Sequence, residues 1–303
     1  METCPEAQAF YNHGPFRIML IYQTITCSIS AGMYIAFAVK YYNNTLVPAT
    51  IKLIFSLYVI AKIVELSFFA VWKALHLYLY YTAFNPCDVL VTRVFCTVIC
   101  FVQTLFIALP SFLHLTIALE RLSAYIRSLK KQQINWKISA VMSALSIFLA
   151  MCVSAFCNHQ AVLEGTVPYC STITPSTASD TVVVCGVMMA IEAISIVISL
   201  GTYLTSRKTE KKRTYDIRQR YSRSENSYVF HLMLPWMIMH FIIFSFFYLL
   251  TALGPVFYDT ATNMLLLLVY NGYISSTCVL TPLPTLSYLY HLETEADSDI
   301  GYH

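Results

Sequence analysis

One stretch of the chain, residues 96–121, reads CTVICFVQTLFIALPSFLHLTIALER. It begins with Cys96 and is almost wholly apolar until it ends in Glu120 and Arg121. As an α-helix it would rise about 37 Å, which covers the hydrocarbon core of a bilayer and part of each interface. The stretch therefore predicts a membrane-spanning helix with a cysteine at one surface and a charge pair at the other.

Composition extends this prediction to the whole chain. The 303 residues are 57% hydrophobic and only 12% charged, whereas a soluble domain carries about 25% charged residues. Seven apolar runs, each about 20 residues or longer, are bounded by charged or turn residues. Because lipid offers the backbone no hydrogen bonds, we expect an all-α membrane protein, a bundle of seven transmembrane helices. The runs are 18–39, 51–71, 94–119, 138–157, 181–204, 231–252 and 263–290.

The basic residues predict how the bundle lies in the membrane. Cytoplasmic loops carry an excess of Lys and Arg, and 15 of the 19 basic residues fall in or beside the segments after the first, third and fifth runs. We therefore expect an extracellular N-terminus (1–17), a transmembrane bundle (18–290) and a short acidic cytosolic tail (291–303). The glycosylation sequon at Asn43 would then be cytosolic and unused. The net charge of +3 does not indicate a nucleic-acid partner.

The ten cysteines divide along the same topology. We expect Cys96, at the head of the third helix, to pair with Cys170 in the loop after the fourth, because disulfides persist in extracellular segments. That bond would hold the loop over the outer end of the bundle. Cys4 and Cys87 lie on the same side and form either a second disulfide or two free thiols. The remaining cysteines lie inside helices or near their outer ends: Cys27, Cys100, Cys152, Cys157, Cys185 and Cys278.

Ionisable residues inside a membrane are costly and indicate function. Lys62 and Glu65 are three residues apart, so they share a helix face and we expect them to pair. Glu192, on the fifth run, has no partner nearby in the sequence; it would meet a polar group of the bundle, meet a ligand, or stay protonated. We interpret His114 and His240 as isolated packed histidines. The sequence therefore predicts no metal site and no cofactor.

Three motifs occur in order along the chain: NPCDVL at 85–90, IALERLSA at 117–124 and RYSRSEN at 220–226. They resemble the Asp/Asn-Pro-Cys-Asp-Leu, Ile-x-x-Glu-Arg-x-x-Ala and Arg-Tyr-Gln-x-x-Glu-Asn motifs of nematode serpentine chemoreceptors of the Sra and Srab classes. The seven runs, with an outer cysteine and an inner Glu-Arg on the third, also resemble a G-protein-coupled receptor. The chain departs from the pattern at Ser222, where Gln is usual, and no Asn-Pro-x-x-Tyr closes its seventh run.

The resemblance implies a chemosensory, olfactory type of receptor in the plasma membrane of chemosensory neurons, surrounded by membrane lipids. It implies a small-molecule ligand, signalling to a heterotrimeric G protein, and either a monomer or a homo- or heterodimer. From its chemistry alone, Arg121 fits either a conformational switch or an arginine that only fixes the topology. The residues that the resemblance assigns to coupling are Glu120, Arg121, Arg220, Tyr221, Glu225 and Asn226.

The outer halves of the third, fifth, sixth and seventh helices would line the ligand pocket, because an apolar cavity with a few polar groups suits a small organic molecule. The alternative is a transporter or channel for a small solute, which would show discontinuous helices or charges along a path. We do not expect an enzyme, since the chain lacks a Gly-rich phosphate loop, Gly-x-Ser-x-Gly and His-Glu-x-x-His. The pocket candidates are Gln103, Phe106, Glu192, Phe244, Phe247, Tyr248, Tyr270 and Asn271.

Overall fold

The computed structural model of the protein is mainly helical. It describes residues 7–8, 11–42, 49–129, 136–170, 177–210, 229–230, 233–246 and 248–249. The described helices are Gly14–Tyr42 (α1), Ala49–Thr82 (α2), Arg93–Leu129 (α3), Trp136–Asn158 (α4), Ala178–Glu210 (α5) and Met233–Phe246 (α6). The seventh predicted run and the acidic tail lie outside the described residues.

Within the described part of the chain, the five helices α1 to α5 are long and apolar enough to cross a membrane. Each encloses the corresponding run predicted from the sequence and extends beyond it. The 37 residues of α3 rise about 55 Å, well beyond the roughly 30 Å hydrocarbon core. The largest difference is in α2, which we ended at Val71 and which continues to Thr82.

The described bundle is apolar outside and partly polar inside. Val71, Val141 and Val197 are each exposed over about two thirds of their surface, whereas Ser111 and Glu192 are fully buried. Lipid has no hydrogen-bonding groups, so polar side chains are stable only where they face other helices. This distribution is the one that a membrane-spanning bundle requires.

Helix α3 is central, because it packs against α2, α4 and α5. Its contact with α4 is made by small residues, which let two helix backbones approach closely in a membrane. The Ser146 hydroxyl is 2.8 Å from the Thr116 hydroxyl, and the Ser154 hydroxyl donates to the Phe101 carbonyl. The buried stripe of α4 is Ser139, Ser143, Ser146, Ala150, Ser154 and Cys157.

We expect the substitution Ser146→Leu to lower the free energy of unfolding by about 1–3 kcal/mol, because an added isobutyl group has no space between α3 and α4. Ser146→Ala, which removes only the hydroxyl, should lower it by about 0.6 kcal/mol. Thermal unfolding of the purified receptor in detergent measures both changes. Equal melting temperatures for the Leu and Ala variants would show that α4 is not closely packed here.

Aromatic residues fill the bundle between α1, α2 and α6. Trp236 is fully buried, and its ring centroid is 4.6 Å from that of Tyr58 and 5.6 Å from that of Tyr34. Phe37 and Phe55 complete the contact, at 5.5 and 5.2 Å from Trp236. Rings at these separations stabilise each other beyond the area that they bury. The indole of Trp236 therefore fixes α6 against α1 and α2.

A cap covers the end of the bundle where α3 begins. A 3-10 helix, Pro86–Val89, is followed by a two-residue strand, Val91–Thr92 (β1), which pairs antiparallel with Thr166–Val167 (β2). Gly165 has φ +92°, a conformation that favours glycine, and its carbonyl accepts a hydrogen bond from the Arg93 amide. This turn brings the loop after α4 back over α3.

Candidate functional site

The structure contains a disulfide between Cys96 and Cys170, the pair expected from the sequence, with their Cα atoms 5.0 Å apart. The bond closes a chain segment with a sequence separation of 74 residues and holds the cap at the first turn of α3. Cys87 is also disulfide-bonded. Cys4 lies outside the described residues, so the pairing of Cys4 with Cys87 remains a prediction.

At the opposite end of α3, Glu120 and Arg121 form an ion pair. Arg121 Nε donates to Glu120 Oε2 at 2.6 Å, and Arg121 is only 6% exposed. A buried guanidinium beside a carboxylate is a strong interaction that requires a specific arrangement of the surrounding helices. The burial of Arg121 distinguishes it from an interface arginine that extends into the lipid headgroups.

Arg121 lies on the wall of a cavity between α3, α5 and the first turn of α6. Residues before α6 also contribute, and the Phe230 ring stacks on that of Tyr203 with centroids 4.2 Å apart. Because three helices meet here, a relative movement of any of them would change the size of the cavity. Other lining residues are Ile117, Ser199, Thr202, Met233 and Met237.

In the interior of the bundle, three helices meet at one polar cluster, which we call the histidine–glutamate cluster: His114, Glu192 and His240. The two Glu192 carboxylate oxygens are 3.0 and 3.1 Å from His114 Nδ1. The Nδ1 atom of His240 is 3.6 Å from Glu192 Oε1, and its Nε2 is 3.4 Å from the Tyr58 hydroxyl. All three cluster residues are at most 4% exposed. The cluster therefore links α3 and α5 through a hydrogen bond, and it places His240 of α6 beside Glu192 while His240 is hydrogen-bonded to Tyr58 of α2.

The two histidines are core residues, as expected from the sequence, but they are not isolated, since their ring centroids are 4.9 Å apart. One ligand atom from each cluster residue lies within 4.8 Å of the others, so the three groups could hold a metal ion. A transition-metal site of two imidazoles and a carboxylate has this chemistry. The same three side chains also fit a polar core without a metal ion, because Glu192 is within hydrogen-bonding distance of His114.

The cluster can be tested by a double-mutant cycle. We expect His114→Leu to lower the free energy of unfolding by about 1–3 kcal/mol, since it leaves the buried Glu192 carboxyl without its hydrogen-bond partner. The double substitution His114→Leu with Glu192→Leu should recover most of that loss, because both polar groups are gone. Melting temperatures of the two single variants and the double variant measure the coupling. Strictly additive effects would show that the two side chains do not interact.

A second polar group lies nearer the cap, on the part of α2 that the sequence had placed outside the helix. Lys73 is 5% exposed, and its Nζ donates to the Tyr169 hydroxyl. His76 is fully buried, with its ring centroid 4.2 Å from Trp72 and 5.2 Å from Tyr169. Tyr169 immediately precedes the disulfide-bonded Cys170, so the cap and α2 meet at these side chains.

The pocket candidates occupy different environments. Glu192 and Phe244 lie near each other through His240. The Phe244 ring packs on that of His240 with centroids 6.1 Å apart, and His240 Nδ1 is 3.6 Å from Glu192 Oε1. Phe106 and Gln103 are partly buried along α3, and Tyr248 is 36% exposed. Three other candidates and four of the coupling residues lie outside the described residues: Phe247, Tyr270, Asn271, Arg220, Tyr221, Glu225 and Asn226.

The expected Lys62–Glu65 pair is confirmed, with Nζ 2.9 Å from Oε2. Sequence reasoning missed Lys73, His76 and Tyr58 as site residues. Lys73 and His76 could have been recognised from the sequence. With Tyr80 they are spaced three and four residues apart, so they share one helix face, and each interrupts an apolar segment.

Residues 1–265 match the family model described as serpentine type 7TM GPCR receptor class ab chemoreceptor. The match includes all the described helices and the residues of the histidine–glutamate cluster. No curated protein matches the chain.

Proposed function

The chain belongs to the class ab family of serpentine seven-transmembrane chemoreceptors, and we propose that it binds a small-molecule ligand in the outer half of its bundle and signals to a heterotrimeric G protein. It is therefore a multi-pass plasma-membrane protein of a receptor class and not of an enzyme class. In the proposed orientation, the disulfide-bonded cap is extracellular and the Glu120–Arg121 end of α3 is cytosolic. The positive-inside distribution of Lys and Arg supports this orientation.

The observation that carries the proposal is the position of Arg121. It is buried, paired with Glu120, and lines a cavity formed by α3, α5 and α6. A partner peptide inserted into that cavity would contact Arg121 and separate the three helices. The ion pair fixes the Arg121 side chain on α3, because a buried charged group is most stable beside its counter-charge.

Helix α3 connects the proposed ligand-binding end of the bundle with the proposed G-protein-binding end. Cys96 lies at the cap, His114 in the histidine–glutamate cluster and Arg121 at the cavity. The helix rises about 27 Å from Cys96 to His114 and about 10 Å from His114 to Arg121. The cluster holds α3, α5 and α6 in one arrangement, so a change in its hydrogen bonds changes the spacing of the helices at the cavity. A ligand shifts this equilibrium only if it binds one arrangement more tightly than the other.

The test of the proposal measures signalling and transport side by side. The full chain is reconstituted with a purified heterotrimeric G protein, and a panel of volatile and soluble small molecules is screened for accelerated nucleotide exchange. The same compounds are offered to vesicles that contain the chain. We expect exchange to rise with at least one compound and no compound to enter faster than into protein-free vesicles. Uptake without any change in nucleotide exchange would instead indicate a transporter.

A further inference from the structure

We infer that the outer half of the bundle contains a site for the anionic group of a small organic acid, formed by Lys73 and His76 and covered by Tyr169. The inference rests on the proposed function, because it names the chemical class of ligand that the receptor detects. It depends on the charge, burial and hydrogen bonding of a few side chains on α2 and in the cap.

Lys73 is a cation buried in a membrane-spanning helix. It is 5% exposed and lies nine residues before the end of α2 at Thr82, which corresponds to about 13 Å of helix rise. At this exposure the side chain does not reach water, and an ammonium group in an apolar interior is strongly destabilising unless an anion accompanies it. The position of Lys73 therefore requires compensation by its surroundings.

The described residues around Lys73 provide a hydroxyl and an aromatic ring. The Nζ atom of Lys73 donates to the Tyr169 hydroxyl and lies 4.7 Å from the centroid of the Tyr169 ring. Among the described residues no carboxylate oxygen is within ion-pair distance of Lys73. Glu65, on the same helix, is about two turns away and already pairs with Lys62. The positive charge of Lys73 is thus stabilised by dipoles and by an aromatic face but is not neutralised.

His76 adds a hydrogen-bonding group to the same place. It is three residues after Lys73, so both project from one face of α2. It is fully buried, and neither of its ring nitrogens has a hydrogen-bond partner among the residues that the structure describes. An imidazole always carries at least one N–H donor, and a buried donor left unpaired costs about 1–3 kcal/mol. A fully buried, unsatisfied donor beside an unneutralised cation is a pair of groups that the oxygens of one bound anion would satisfy together.

Two further cations at the outer end of the bundle support the assignment of an anion site. Arg17 and Arg93 lie on the same side of the bundle, and neither forms an ion pair in the described part of the chain. Arg17 is instead held by the Tyr11 carbonyl and ring. Cations concentrated around a low-dielectric site attract anions and raise their local concentration. The described acids at this end are Asp88, Glu164 and Asp180, and none of them is within ion-pair distance of Arg17, Arg93 or Lys73.

The neighbours of the site define the rest of the ligand. Trp72 and Tyr80 flank Lys73 and His76 on α2, and Phe16 packs edge-on against Tyr169 with ring centroids 5.1 Å apart. These aromatic surfaces suit an apolar body attached to one acidic group. A carboxylate accepts hydrogen bonds from Lys73 and His76 at the same time, because each of its oxygens has two lone pairs. The groups at this site therefore match the chemistry of a small aliphatic or aromatic monocarboxylate.

The experiment measures binding to the purified full chain without a G protein. Hexanoate, octanoate and benzoate are compared with their methyl esters in a thermal-shift titration of the receptor in nanodiscs. We expect at least one acid to raise the melting temperature in a saturable manner and its ester to have little effect. Lys73→Met should weaken the binding of that acid at least about tenfold, because a charged hydrogen bond is lost, whereas Lys73→Arg should retain most of it.

Two further measurements separate a ligand site from a structural lysine. Without ligand, Lys73→Met should leave the melting temperature unchanged or raise it, because replacing an unneutralised buried charge by an apolar side chain is not destabilising. The matched control removes a neutralised lysine from the same helix by combining Lys62→Met with Glu65→Met, and it should retain acid binding. A lower melting temperature for Lys73→Met, or equal acid and ester effects in the unaltered chain, would overturn the inference.

Failure of the anion site and failure of the proposed function give different results. A chain that binds acids through Lys73 but activates no G protein would contradict the proposed signalling and leave the anion site intact. A chain that activates a G protein only with neutral compounds, unaffected by Lys73→Met, would contradict the anion site and leave the signalling intact.

Discussion

We expect Arg121→Ala to reduce ligand-evoked nucleotide exchange by at least about tenfold while the receptor still reaches the cell surface. The guanidinium is buried at the wall of the cavity between α3, α5 and α6 and pairs with Glu120. Its removal eliminates the proposed contact with the G protein and the ion pair with Glu120, and a coupling of about 1–3 kcal/mol corresponds to a 5- to 150-fold effect. Cell-surface labelling and a G-protein activation assay on the same cells measure the two quantities.

Arg127 provides the matched control for Arg121. It lies at the same end of α3, and its Nη2 atom is 2.5 Å from Ser123 Oγ, a partner one turn away on the same helix. Arg127→Ala should therefore leave the dose–response curve nearly unchanged. Glu120→Gln removes the charge that holds Arg121 in the resting arrangement, so it should raise exchange in the absence of ligand. Identical dose–response curves for the unaltered receptor and Arg121→Ala would defeat the role assigned to Arg121.

The second large effect concerns the disulfide at the outer end. We expect Cys170→Ser to lower the free energy of unfolding by about 2–4 kcal/mol, because the bond between Cys96 and Cys170 closes a long segment of the chain. The cap also positions Tyr169 over Lys73, so acid binding should weaken in the same variant. Thermal unfolding with and without a reducing agent measures the stability, and the thermal-shift titration measures the binding.

Comparison among cysteine variants isolates the contribution of the bond. The double variant lacking both Cys96 and Cys170 should be no less stable than either single variant, since each substitution removes the same disulfide. Cys152 is a free, exposed thiol on α4, so Cys152→Ala should leave the melting temperature unchanged. If Cys170→Ser melted at the same temperature as the unaltered chain, the cap would not depend on this bond for its stability.

Much of the fold could be predicted from the sequence because lipid imposes strict rules. Apolar runs must be helices, and the positions of α1 to α5 followed from the runs alone. The end of α2 did not follow, because the predicted run ended at Val71, two residues before Lys73. Lys73 and His76 face the interior of the bundle, and a hydropathy boundary cannot distinguish a polar residue that faces other helices from one that faces water.

The candidate sites were less predictable, since they depend on residues far apart in the chain. Glu192 was recognised as a costly intramembrane acid, but its partner His114 is 78 residues away on another helix. His240 joins them only because α6 packs beside α3 and α5. By contrast, the Lys62–Glu65 pair was predictable, since both residues lie on one face of one helix.

The orientation of the chain in the membrane is the claim on which the ligand site and the coupling cavity both depend. It is tested most directly by an epitope inserted after Lys208, in the basic segment that follows α5, and stained on intact and on permeabilised cells. The account predicts staining only after permeabilisation, together with no sugar at Asn43. Staining of the epitope on intact cells would place Arg121 outside the cell and contradict the account.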